Sequence, residues 1–169
     1  KGADTSNSSK PTTGDVDKDK IYTIKYGGTL AESHYSAISI ELFKKLVEER
    51  SNGRIKVDIF HNLSIGTPRD LIEGAQMNTI QMFDASIAAI AGFTDLATPL
   101  SLPFIFPNRE AAFKFIDGKM GQELTDAIAE DINVRIVGWH ENGFRQLTNS
   151  KREVKTPNDI KGLKIRVMD

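Results

Sequence analysis

Apolar and polar residues follow strand and helix periods in turn from residue 21 onward. Residues 21–26 are rich in Ile, Tyr and Thr and precede two glycines, which is typical of a strand that ends in a turn. In residues 35–50 apolar side chains recur at helical spacing, which predicts an amphipathic helix, and Gly53 follows its end. Every second residue from 55 to 59 is Ile or Val, so we expect a strand with one buried face.

Residues 67–70, Thr-Pro-Arg-Asp, carry the signals of a helix start. Threonine is a good N-cap, proline fits the first helical position, and an acid follows two residues later. The helix predicted at about 68–77 leads into a strand predicted at 80–85. Residues 55–85 are therefore expected to form a strand–helix–strand unit, which favours parallel strands and a right-handed crossover.

The rest of the chain continues this order of elements. An apolar run with several prolines at 99–107 excludes a central strand or a long helix, and we expect an extended segment that crosses the core or serves as a hinge. The remaining predicted elements are helices at about 109–117 and 119–131, a strand at 134–139, a brief helical turn starting at 156–159 and a closing strand at 163–167. The order predicts an α/β fold.

Composition narrows the class of protein. The chain has 169 residues, of which 39% are hydrophobic and 27% charged, as in a soluble globular protein long enough to have a core. The net charge of −1 gives no basic surplus for nucleic acid, and the absence of cysteine excludes disulfides and thiolate chemistry. No apolar run reaches the roughly 18 residues of a membrane span.

The first twenty residues differ from the rest. Residues 1–20 are polar, with a valine as their one sizeable apolar residue. They therefore cannot bury enough apolar surface to offset the entropy cost of ordering. We expect a flexible tether, or alternatively an added tag. The chain starts at Lys1 with neither an initiator methionine nor a signal peptide, so we expect a processed form or a piece of a longer protein.

The sequence shows no pattern typical of catalysis or metal binding. His34, His61 and His140 lack the spacing of metal ligands, and there is no nucleophile elbow, P-loop or dinucleotide fingerprint. We therefore predict no metal and no cofactor. An acid-handling enzyme with Glu141 or Asp84 as its base remains an alternative.

Two arginines near the ends of predicted elements suggest a site for an acidic small molecule. Arg166 stands between Ile165 and Val167 in the closing strand, so it faces away from the core if those two side chains face it. Arg145 follows an Asn-Gly-Phe segment. A guanidinium offers a planar fork of donors that matches a carboxylate, although a strand-edge arginine often makes only a surface ion pair.

Two hydroxyl-bearing residues follow predicted strands. Thr29 comes after the strand at 21–26, and Ser86 comes after the strand at 80–85. Because α/β proteins bind ligands at the carboxyl ends of strands, both residues are candidate ligand contacts. The alternatives are a plain turn at Thr29 and a packed helix start at Ser86.

Seven short stretches, in order across residues 21–169, resemble the solute-binding proteins of tripartite ATP-independent periplasmic (TRAP) transporters, the dicarboxylate-binding family. Each stretch alone has little specificity, and the ordered set is highly specific. The stretches are GRIKV at 53–57, LIE at 71–73, LPF at 102–104, ENGFR at 141–145, TNSK at 148–151, VKTPND at 154–159 and GLKIRV at 162–167.

The resemblance implies a two-lobed Venus-flytrap fold of the periplasmic-binding-protein type (type II-like), which closes on an organic acid. Only the first lobe and the start of the second are expected here. Under this interpretation residues 1–20 are the tether, 21–142 the first lobe and 143–169 the beginning of a truncated second lobe.

The resemblance also implies roles for single residues. Arg166 takes the place of the arginine that forms the principal salt bridge to the substrate carboxylate, and Arg145 that of an assisting arginine. Thr29 and Ser86 occupy loop positions that resemble other cleft contacts. His34 matches a histidine often seen in its loop, although a tyrosine replaces the proline that usually follows.

The function implied by the resemblance is transport without catalysis. The protein would capture an organic acid and deliver it to the membrane permease subunits of a TRAP transporter. We expect a monomer that binds no nucleic acid and lies in the periplasm or at the cell surface, where the tether could carry a lipid anchor. An organic-acid sensor on a similar fold is an alternative, and residues 1–169 alone are expected to bind ligand weakly or not at all.

Overall fold

A parallel three-stranded sheet underlies the fold in the computed structural model, which describes residues 20–144 and 146–166. Its strands are β1 (Tyr22–Gly27), β2 (Ile55–Phe60) and β3 (Met82–Phe83), in the order β2-β1-β3. The predicted parallel pairing is confirmed, with β1 lying between the two strands of the predicted unit. β3 is shorter than the strand expected at 80–85, because only two of its residues pair with β1.

Helices occupy most of the remaining regular structure. The helices expected at 35–50, 68–77, 109–117 and 119–131 are all confirmed. A short helix follows Ser86, so the alternative prediction that Ser86 starts a helix is confirmed. The α-helices are α1 (Tyr35–Arg50), α2 (Pro68–Gln76), α3 (Ile87–Ala91), α4 (Arg109–Ile116) and α5 (Lys119–Asp131), with 3-10 helices at Asp95–Ser101 and Pro157–Ile160.

Side-chain caps set where several helices begin. Thr67 caps α2 in a reciprocal capping box, in which its hydroxyl oxygen accepts from the Asp70 amide and the Asp70 carboxylate accepts from the Thr67 amide at 2.8 Å. Asn108 caps α4, where its side-chain oxygen accepts from the Ala111 amide at 2.8 Å. Such caps satisfy amide groups that the first helical turn leaves without partners.

The core joins the helices to one another and to the sheet. Its buried cluster, to which α2, α3, α5 and the first 3-10 helix contribute, contains Ile72, Ile90, Ala97, Ile128 and Ile132. Val57 on β2 and Leu71 on α2 are also fully buried. A side chain on Gly27 would place its Cβ 2.5 Å from Leu71 Cδ2, so the glycine permits close packing of α2 on β1.

Two of the predicted strands do not pair with any strand among the described residues. Residues 134–139 are extended and pack Val134 and Ile136 on the core, while Val137 is 72% exposed. Buried and exposed side chains therefore alternate here, as the prediction requires. No described strand pairs with this backbone, however, so the segment is not a strand. The same holds for the described part of 163–167, where Ile165 is 41% exposed, so the condition under which Arg166 would face away from a core is not met. Val167 lies outside the described residues.

The proline-punctuated run also differs in part from the prediction. It contains no strand and no long helix, as expected, but residues 102–105 lie at the surface instead of crossing the core. Phe104 is 99% exposed, and its neighbours Leu102 and Ile105 are about half exposed. In the part of the chain that the structure describes, no helix has the length and apolar character needed to cross a membrane.

Candidate functional site

The carboxyl ends of β1 and β3 lie side by side. Gly27 pairs with Phe83, and the Asp84 amide donates to the Gly27 carbonyl oxygen at 3.1 Å. The chain therefore leaves both strands at the same edge of the sheet, the edge where parallel α/β folds bind ligands. The candidates Thr29 and Ser86 each follow within three residues of these strand ends, so the structure brings them to one edge.

Asp84 links the two loops that leave this edge. Its carboxylate Oδ1 accepts a 2.6 Å hydrogen bond from the Thr29 backbone amide. The residue is 9% exposed, and its Oδ2 is buried without a hydrogen-bond partner among the described residues. The carboxylate also acts on Tyr26 of β1: burial first, and the negative charge of Asp84 second, raise the pKa of the phenol far above its usual value.

Ser86 is both the N-cap of α3 and a half-buried hydroxyl at the edge of the sheet. Its oxygen accepts from the Ala89 amide at 3.2 Å. A serine hydroxyl that accepts in this way still has its own proton to donate. The helix-start interpretation and the ligand-contact interpretation are therefore compatible.

His34 has a similar capping role at the start of α1. Its Nδ1 accepts from the Ser36 amide at 3.3 Å and lies 2.7 Å from the Ser36 hydroxyl oxygen. A neutral imidazole that accepts at Nδ1 carries its proton on Nε2. The ring therefore has one N–H group left for a further partner.

Tyr35 joins the start of α1 to the segment that precedes Arg145. Its hydroxyl donates to the Glu141 carbonyl oxygen at 2.9 Å, and the Asn142 side-chain oxygen lies 3.4 Å away. The Glu141 carboxylate forms an ion pair with Arg109 at the start of α4. We call these contacts of Tyr35, Arg109, Glu141 and Asn142 the crossover junction.

Trp139, two residues before Glu141, is also held in place by a hydrogen bond to α5. The Trp139 indole N–H donates to the Thr125 hydroxyl oxygen on α5 at 3.1 Å, and the Thr125 hydroxyl donates to the Gly121 carbonyl oxygen at 2.7 Å. The segment that approaches residue 141 is thus tied to α5 and then to α1 and α4.

Of the two candidate arginines, the structure describes Arg166 alone. Arg145 lies outside the described residues. Arg166 is exposed, and no hydrogen bond or ion pair within the described ranges joins it to Thr29, Ser86 or His34. The structure thus groups Thr29 and Ser86 around Asp84, with His34 at the end of the loop that carries Thr29.

Sequence reasoning missed two parts of this arrangement. Asp84 was considered only as the base of an alternative enzyme, and Tyr35 only as a departure from the family pattern. The available signal for Asp84 was an acid placed directly after the apolar pair Met82 and Phe83 and just before Ser86. No local pattern indicates the partner of Tyr35, which is 106 residues away.

Other features of the described residues offer no competing centre. They contain no group of three or more histidine, aspartate or glutamate side chains that could hold a metal ion. An open depression of about 370 Å³ lies beside α2, with Lys25, Asp70 and Glu73 among its lining residues. None of the candidate ligand contacts lines it.

These features define a class of protein: an α/β domain in which Thr29, Asp84 and Ser86 lie where the chain leaves the carboxyl edge of a parallel sheet. The comparisons with known proteins give its family. The sequence profile of the bacterial extracellular solute-binding proteins, family 7, matches residues 26–169, and the chain belongs to this family. The predicted resemblance to TRAP transporter solute-binding proteins is thereby confirmed, and the family's relatives are periplasmic solute-binding proteins.

Individual relatives are similar over most of this chain. A solute-binding protein of Verminephrobacter eiseniae is 36% identical over 87% of the chain and 44% of its own length. The 2,3-diketo-L-gulonate-binding periplasmic protein YiaO of Escherichia coli is 33% identical over 85% of the chain and 44% of its own length. The chain thus spans less than half the length of these relatives.

A solved structure is similar in fold as well as sequence. The TRAP periplasmic solute-binding protein of Chromohalobacter salexigens, determined with bound D-glucuronate, superposes with a TM-score of 0.82 at 31% identity. The match covers 86% of this chain and 48% of that one. The α/β fold and its assignment to the first lobe of this class of binding protein are confirmed.

Proposed function

We propose that the protein containing this chain captures an organic acid outside the cytoplasm and delivers it to a TRAP-type secondary transporter. The observation that carries the proposal is the match of the described fold to a structure that holds D-glucuronate, over 86% of this chain. The positions of Thr29 and Ser86 at one edge of the sheet, with His34 at the end of the loop that carries Thr29, support it, since the Ser86 hydroxyl and the His34 ring each keep a proton to donate to an anion. The proposal includes the absence of catalysis, so the ligand should be released unchanged.

We propose that Arg166 supplies the main contact to the ligand carboxylate, with Arg145 assisting. In the described structure Arg166 is exposed, so its guanidinium is open to a partner. Closure of two lobes around the anion would bring Arg166 to the edge that carries Thr29 and Ser86. Closure also excludes water, and a lower dielectric strengthens a charge-assisted bidentate bond.

Sugar acids are one ligand class that the relatives suggest. The relative from Escherichia coli is named for a diketo-gulonate, and the solved relative from Chromohalobacter salexigens holds D-glucuronate. Both molecules combine one carboxylate with several hydroxyl or carbonyl oxygens. A cleft that combines arginine with Ser, Thr and His donors suits such a ligand.

The organisation of the whole protein is part of the proposal. Residues 21–142 form the first lobe, 143–169 begin the second, and 1–20 serve as a tether that could carry a lipid anchor. The crossover junction around Glu141 supports a lobe boundary at this place, because α1 and α4 both hold the chain just before residue 143. We propose a monomer that binds permease subunits and no nucleic acid.

The central test is substitution of Arg166 in the protein as its gene encodes it. Arg166→Ala should abolish binding of D-glucuronate or of the acid that co-purifies with the protein, as measured by isothermal titration calorimetry. Loss of one partner of a buried ion pair costs about 3–5 kcal/mol, which is about 10²- to 10³-fold in affinity or more. Arg166→Lys should also weaken binding, because lysine lacks the planar fork.

The matched control is Arg69→Ala. Arg69 is an exposed arginine of α2 that pairs with Glu73 four residues later at 2.8 Å, so its loss should leave ligand affinity unchanged. Native mass spectrometry of the purified protein identifies the co-purified acid, and recovery of that acid after incubation tests for turnover. Affinity of Arg166→Ala within a few-fold of wild type would contradict the assignment, and consumption of the ligand would favour the enzyme alternative.

A further inference from the structure

We infer that Asp84 is a positioning residue for ligand binding, which sets the conformation of the β1–α1 loop through the Thr29 amide. The inference rests on the proposed function and adds a residue to it. Asp84 stands between two candidate contacts, since it bonds to Thr29 and precedes Ser86 by two residues. Its role is distinct from theirs, because its Oδ2 is sealed from solvent.

The loop between β1 and α1 is held from both sides. On the β2 side, the Leu63 amide donates to the Gly28 carbonyl oxygen at 3.0 Å, and the Asn62 amide donates to the Leu30 carbonyl oxygen at 2.9 Å. On the β3 side, the Asp84 carboxylate accepts from Thr29 at 2.6 Å. Asp84 thus ties the loop to the strand whose continuation carries Ser86.

The burial of Asp84 is costly, which argues for a specific role. A buried carboxylate oxygen without a partner loses its hydration without compensation. Its negative charge also lies at an edge that, on the proposed function, receives an anion, and like charges repel. The benefit of Asp84 must therefore come from the geometry of its accepting oxygen, which orders the loop before the ligand arrives.

Three substitutions distinguish the effect of the position of the accepting Asp84 oxygen from the effect of its negative charge. Asp84→Asn keeps an accepting oxygen in place and removes the charge, so affinity should stay within about threefold of wild type or increase. Asp84→Glu keeps the charge and displaces the oxygen by one methylene group, so affinity should fall. Asp84→Ala removes the acceptor, and affinity should fall by about 10- to 100-fold, the effect of a lost hydrogen bond to a charged group.

Glu48→Ala is the matched control. Glu48 Oε1 accepts from the Val57 backbone amide at 3.1 Å, so it also joins a carboxylate to the sheet backbone. It lies 13 residues after Tyr35 on α1, about 20 Å along the helix from the candidate site. Its loss should lower the melting temperature and leave the dissociation constant unchanged.

The experiment measures dissociation constants by calorimetry and melting temperatures for all variants of the gene-encoded protein, with D-glucuronate, galactonate, erythronate and succinate as probes. Hydrogen exchange of the Thr29 amide in the same variants should be faster in Asp84→Ala than in Asp84→Asn. If Asp84→Ala does not fold, the comparison of Asp84→Asn with Asp84→Glu decides.

The outcomes separate this inference from the proposed function. Wild-type protein that binds neither these four acids nor an acid that co-purifies with it contradicts both. Wild-type protein that binds, together with Asp84→Ala or Asp84→Glu at unchanged affinity, overturns the inference alone. A loss in Asp84→Asn as large as that in Asp84→Glu also overturns it, because the charge would then be the essential property.

Discussion

Single side chains at the edge of the sheet are oriented by backbone amides. Ser86 accepts from Ala89, His34 from Ser36 and Asp84 from Thr29. In the first two, the accepting atom is engaged within the protein, and a proton on the same hydroxyl or on the other ring nitrogen is left to donate. The Ser86 hydroxyl and the His34 ring therefore each keep a proton that an anionic ligand could accept.

The Asp70 carboxylate in the capping box of α2 should make stability depend on pH. The Thr67 hydroxyl and then the Thr67 backbone amide donate to it, which holds the pKa of Asp70 below its usual value. A lowered pKa in the folded state means that stabilisation is present above the pKa of the unfolded chain, about 3.9, and is lost as pH falls through the folded value. Urea unfolding should therefore show a steeper loss of stability from pH 5 to pH 2 in wild type than in Asp70→Asn. Parallel curves for the two proteins would contradict the role of the carboxylate.

The predictability of residue roles depends on distance along the chain. The caps at Thr67 and Asn108 follow from the sequence because each partner lies three residues away. The bond between Asp84 and Thr29 spans 55 residues, and it exists because two strands end beside each other. Local patterns contain no information about such a pair.

At the scale of elements, four α-helices and the three paired strands could be predicted, whereas two further predicted strands are unpaired among the described residues. A helix satisfies its own backbone, so periodicity and caps were enough to predict α1, α2, α4 and α5. A strand needs a neighbour, and the extended residues 134–139 keep the alternation of buried and exposed side chains without one among the described residues. The pattern thus indicates which side faces the core and leaves the pairing undetermined.

The close contact between α4 and α5 gives a testable element-scale prediction. A Cβ on Gly121 would overlap the Phe115 carbonyl oxygen and lie 2.6 Å from the Ile116 Cα. Backbone atoms cannot turn away as side chains can, so Gly121→Ala should lower the free energy of unfolding by about 1–3 kcal/mol. Chemical denaturation measures the change.

Gly138→Ala is the control for this prediction, because its Cβ would meet no atom within 4 Å among the described residues. Its stability should match that of wild type. Equal stability of Gly121→Ala and wild type would show that the two helices can separate without cost.

At the scale of the whole molecule, the chain provides about the first lobe of the fold. It spans 44% of the length of its Escherichia coli relative, so the opposite wall of any cleft would come from elsewhere in the protein. The family resemblance could be predicted from ordered short stretches, because those stretches are contiguous in sequence. The ligand could not be predicted, because on the proposed function the shape of the binding site also depends on side chains outside this chain.

Lobe closure predicts a change in size on ligand binding. In the gene-encoded protein, saturating organic acid should decrease the radius of gyration measured by small-angle X-ray scattering, since hinge closure brings the lobes together. Arg166→Ala should show no decrease at the same ligand concentration. An unchanged radius in wild type with ligand bound, as shown by calorimetry, would exclude a closing hinge.

The single tryptophan of this chain, Trp139, lies next to the proposed boundary between the lobes. Trp139 is half-buried, is hydrogen-bonded to Thr125 and lies two residues before the crossover junction. A shift of the segment relative to α5 would change the polarity around the indole, to which its emission responds. The chain therefore contains an intrinsic fluorophore at the proposed lobe boundary, and it can report on closure without an attached dye.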